Sequence, residues 1–134
     1  MPSAPEGESK TGGTAETARP DLAGLHLIDL EMLQERIGGG ADLFEKLNAL
    51  FQRDAARLLG ALRNSVDART PPGHAEAHTL KGMLRNICAE RGGEMAALLE
   101  EELAQGSWER AGMLVRELEQ EVVLIAAQLA PAEK

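Results

Sequence analysis

The chain has 134 residues, a formal charge of −8, one cysteine, and only Trp108, Phe44 and Phe51 as aromatics. One domain with a modest core is expected at this length; the negative charge argues against nonspecific nucleic-acid binding, and the aliphatic composition favours helices over strands. No apolar run approaches the roughly 20 residues needed to span a bilayer and no signal-peptide core is present, so the chain reads as cytoplasmic, or as a cytoplasmic part of something larger. Residues 1–25 mix Pro, Gly, Ser and Thr without apolar periodicity and read as a disordered leader or linker, which leaves residues 26–131 for the fold.

Asp29 can cap a short helix carrying Leu30, Leu33 and Ile37, which Gly38, Gly39 and Gly40 then end. Asp42 is the candidate cap of a long helix reaching about Val66, whose Phe44, Leu47, Phe51, Ala55, Leu58 and Leu62 form one buried stripe. Leu43, Leu50 and Leu59 widen that stripe, as contact with two neighbouring helices would require. Pro71, Pro72 and Gly73 break the chain and start a helix that runs to about Ala89. Arg91, Gly92 and Gly93 blur the entry to the next helix, which buries Met95, Leu98, Leu99 and Leu103 and stops at Gly106. Ser107 then caps a last helix in which Trp108, Ala111, Val115, Leu118, Val122, Ile125 and Leu129 step regularly by three and four until Pro131. Short connections favour antiparallel neighbours, so the expected fold is all-α: an up-down-up-down four-helix bundle with a short extra N-terminal helix.

The helix around His78 carries the chemistry. At about 100° per residue, His78, Lys81, Gly82 and Arg85 share one face, and Leu80, Met83, Leu84 and Ile87 lie opposite. A neutral, exposed imidazole is a good nucleophile toward phosphorus near neutral pH. Lys81, one turn on, is placed for phosphoryl oxygens, and Gly82 leaves room beside the ring at a mid-helix position where glycine is otherwise costly. From Leu43 to Arg85 seven basic residues face four acidic ones, whereas from Glu94 to Glu121 eight acidic residues face Arg110 and Arg116. His78 thus sits in the positive half of an acidic protein, suited to an anionic group.

Ala77-His78-Thr79-Leu80-Lys81-Gly82, with Asn86-Ile87 and Leu99-Glu100 in register, resembles the signature of histidine-containing phosphotransfer (HPt) domains over about Leu27–Leu129. The resemblance implies a four-helix phosphorelay carrier: His78 is the phosphoacceptor, Lys81 stabilises the phosphoryl charge, and Gly82, Arg85, His74, Arg53 and Arg57 belong to the binding surface. The implied partners are receiver domains of response regulators or hybrid kinases, met by a monomer without nucleic acid or membrane. No cofactor is implied, Mg²⁺ belonging to the receiver, and the chain has no nucleotide-binding glycine loop with which to act as a kinase. Three departures stand out: Arg85 and Met83 replace small residues, Cys88 replaces a glycine, and Gly92 and Gly93 replace apolar residues. An HPt-like module that binds without transfer is the alternative. A metal site built on His74 and His78 lacks an evident third ligand, so none is expected. Cys88 reads as a small buried hydrophobe, and Glu100-Glu101-Glu102 as a solvated helix face.

Overall fold

In the computed structural model, which describes residues 22, 24–38, 40–69 and 73–130, the described residues form five helices and no strand. These are α1 (Leu30–Ile37), α2 (Ala41–Ala68), α3 (Gly73–Asn86), α4 (Glu90–Ala104) and α5 (Trp108–Leu129). Most of the proposed leader, Pro71, Pro72 and Pro131 lie outside the described residues. Leu22, assigned to that leader, packs half-buried against the core.

Each of the four longer helices meets two others: α2 packs on α3 and α5, and α4 on α3 and α5. The core between them is aliphatic, built on Leu62, Leu80, Leu84, Met95, Leu99, Leu114, Leu118 and Ile125. Polar ties fix the pairs laterally. Asn48 Nδ2 donates to the Ala126 carbonyl at 3.2 Å, Arg63 pairs with Glu119, and Arg91 Nε meets the buried Glu121 carboxylate at 2.8 Å.

The α1 cap is the expected one: Asp29 Oδ1 accepts from the Met32 amide at 3.1 Å, and Gly38 ends the helix at φ +69°. Two other caps differ. Asp42 lies in the first turn of α2 behind a Gly40 N-cap, where its charge still favours the helix dipole, and Ser107 makes no side-chain capping bond. The second α2 flank is also not uniformly buried, because Leu59 is inside but Leu43 and Leu50 are 44% and 49% exposed. Length explains this. A Cβ on Gly73 would stand 2.8 Å from Ser65 Cβ, so α3 starts level with the far end of α2. At about 1.5 Å per residue α3 is half as long as α2 and ends before it can cover the α2 N-terminus.

Helix α3 stops three residues before the expected Ala89. Cys88 takes φ +63°; its amide donates to the Arg85 carbonyl at 3.0 Å and the Ala89 amide to the Leu84 carbonyl at 2.9 Å. This pair of bonds closes a helix whose terminal residue is left-handed, and it explains why a glycine suits position 88. The segment before α1 is stitched to this turn. The Asp29 amide donates to the Cys88 carbonyl at 2.8 Å, the Arg91 amide to the His26 carbonyl at 2.9 Å, and Arg36 Nη1 to the Arg85 and Asn86 carbonyls at 3.3 and 3.1 Å.

Candidate functional site

Because Ala77, Leu80 and Leu84 are locked in the core, α3 cannot rotate, and its outward face is fixed. On that face His78 is 66% exposed, and Gly82 is exposed with nothing within 4 Å of where a Cβ would stand. Folding therefore gives no packing reason for the glycine. The free space lies beside the imidazole on the protein's outer surface.

The back of the site is built by α4. Glu100, whose side chain is only 16% exposed, accepts from His78 Nδ1 on Oε2 at 2.9 Å and from Lys81 Nζ on Oε1 at 2.7 Å. His74 Nε2 stands 3.6 Å from the same Oε2. The Lys81 hydrogen bond, helped by that of His78, holds the Glu100 carboxyl below its ordinary value against the opposing effect of desolvation. An ionised carboxylate can only accept, so the proton between Glu100 and His78 resides on Nδ1. The lone pair is then on Nε2, the nitrogen turned away from Glu100. One contact thus selects the tautomer and orients the ring.

The candidate residues separate into groups. His78, Lys81 and His74 converge on Glu100, with Gly82 beside them on the open face. Arg85 is engaged elsewhere: its Nη2 pairs with Glu94 at 3.2 Å, and its aliphatic stem lies over Gly93, where an added Cβ would stand 3.0 Å from Arg85 Cγ. Arg53 and Arg57 are exposed on α2, with Arg53 Nε 3.5 Å from Asp54. The expectation of a solvated Glu100-Glu101-Glu102 face is corrected. Only Glu101 is fully exposed; Glu100 faces α3, and Glu102 accepts from Arg110 at 3.2 Å. The helical period of α4 alone could not reveal this, since Glu100 lies on the flank between the buried Leu99 and solvent; its register with Leu99 was the available signal. Among the described residues, His26, Asp29 and Glu90 form the one group of three ligand types close enough for a metal, and it includes neither His74 nor His78.

Over residues 46–128, well over half of the chain, the sequence matches the family model described as the Hpt domain. The chain belongs to the Hpt domain family. Hpt domains are phosphocarrier modules of two-component signalling, which gives the chain a phosphotransfer-related role and places receivers and histidine kinases among the partners of its family. The matched span begins inside α2, so the α1 segment stitched to the α3–α4 turn lies outside it. No curated protein and no solved structure matches the chain. No described helix is long and apolar enough to cross a membrane.

Proposed function

We propose that this Hpt domain is a phosphoryl carrier that accepts the group on His78 from the aspartyl phosphate of one receiver and passes it to another. The observation that carries the reading is the 2.9 Å contact between His78 Nδ1 and Glu100, which leaves the exposed Nε2 with its lone pair. In the transfer, Nε2 attacks phosphorus, the N–P bond forms, and the P–O bond to the aspartate breaks with its electron pair leaving on the carboxylate. The Nδ1 proton stays between the ring and Glu100, whose charge offsets the positive charge that develops on the imidazole. Lys81 is one side-chain rotation from the phosphoryl oxygens, and Gly82 admits both the group and the receiver surface. Arg53, Arg57 and Arg85 supply positive charge on the docking side, and any Mg²⁺ belongs to the receiver.

The helix contacts support an up-down-up-down bundle, which we read as a cytoplasmic monomer without kinase activity of its own. Incubation with a phosphorylated receiver is expected to label the wild type with acid-labile, alkali-stable phosphate and to leave His78→Gln unlabelled. Equal labelling of both would overturn the assignment. A complex formed without any labelling of the wild type would identify a binding module instead.

A further inference from the structure

Glu100 gathers three basic side chains on one carboxylate, and only two of them are within hydrogen-bond distance. Lys81 occupies Oε1 and His78 occupies Oε2, while His74 stands 3.6 Å from Oε2, an ion-pair distance too long for a hydrogen bond. The His74 ring is half exposed and borders an open cleft lined by Leu103, Ala104, Gln105, Gly106 and Trp108, so it has room to turn. None of those neighbours is charged. Among the described residues, the charged group within ion-pair distance of His74 is Glu100 from α4.

Phosphorylation changes the demand on these groups. A phosphoryl group brings about two negative charges to the His78 ring and competes with Glu100 for Lys81. If Lys81 moves to the phosphoryl oxygens, Glu100 is left as a half-buried carboxylate beside a second anion. Removing the counter-charge of such a group is unfavourable unless another cation replaces it. His74 is the residue already in place to do so.

We propose that His74 is a positioning residue for the phosphorylated state, closing on Glu100 as Lys81 leaves it, so that Glu100 keeps its hold on the His78 ring. This rests on the phosphoryl-carrier reading above. No additional bond is made or broken.

The test uses the full chain and phosphoramidate, a small donor that needs no docking surface: its P–N bond breaks, nitrogen leaves as ammonia, and the His78 Nε2–P bond forms. His74→Ala is expected to form phosphohistidine about two- to fivefold more slowly than wild type, the size of effect of a half-exposed ion pair. His74→Arg, which keeps a charged donor beside Glu100, should restore the wild-type rate. A His74→Ala rate equal to wild type, or a deficit that His74→Arg does not restore, would overturn the proposal. So would a deficit seen with phosphorylated receivers but not with phosphoramidate, because that would make His74 a docking residue. Failure of the wild type to be labelled on His78 by either donor would instead remove the carrier reading itself.

Discussion

At the residue scale the site depends on one acidic side chain. Glu100 gives His78 its tautomer and orientation, and Lys81 keeps Glu100 ionised. Glu100→Ala is expected to slow phosphorylation of His78 by roughly 10- to 100-fold, the range found when a partner orienting a functional imidazole is removed, with the helical circular-dichroism signal retained. Because the folded value of Glu100 is depressed, its contribution to stability is fully present above the ordinary carboxylate value of 4.5 and is lost as pH falls through the folded value. Urea midpoints measured from pH 7 downward should therefore fall less steeply in Glu100→Gln than in wild type. His78, Lys81 and Gly82 were legible as a group because they share one face of one helix. Glu100's role was not, since it depends on how α3 and α4 face each other, which no single-helix period encodes.

Among the elements, the α3–α4 pair accounts for two departures from the family pattern with one contact. The sequence replaces a small residue by Arg85 and an apolar one by Gly93, and the structure lays the Arg85 stem where a side chain at position 93 would stand. The Arg85 stem fills the space that a side chain at position 93 would take. Gly93→Leu is expected to destabilise by about 1–3 kcal/mol through overpacking, with much of the loss recovered when combined with Arg85→Ser; a double-mutant cycle by urea denaturation measures the coupling. Cys88 tells a similar story at the end of α3. Its φ of +63° makes a β-branched residue strained there, so Cys88→Val should lose about 1–2 kcal/mol although it fills similar space, while Cys88→Gly should not. The regular stripe of α5 was readable because it is buried along its whole length. The α2 flank misled because burial there depends on where a neighbouring helix stops, and the end of α3 depends on Cys88 adopting a conformation that cysteine rarely takes.

Across the whole molecule, charge is segregated along the chain. The net charge is −8, yet the α2–α3 half that displays His78 is its basic part, and of the 14 acidic residues on the four long helices nine lie on α4 and α5. This arrangement places the excess of basic residues on the α2–α3 side of an acidic molecule, which favours orientation in the encounter more than affinity. Raising salt from about 0.05 to 0.5 M is therefore expected to slow transfer from a phosphorylated receiver much more than labelling by phosphoramidate. Arg53→Glu with Arg57→Glu should reproduce that loss at low salt. Equal salt sensitivity for the two donors would show that the face plays no part in docking.

The open space at Gly82 has a consequence for how this helix can change. Among the described residues nothing needs a glycine there, and alanine in a helix interior is preferred by about 1 kcal/mol, so Gly82→Ala should stabilise the isolated protein while slowing receiver-dependent transfer. A mutational screen scored by folding would reward the substitution; one scored by signalling would reject it. Position 82 is thus a place where stability and activity pull in opposite directions, and any selection for glycine acts through the complex and not through the fold.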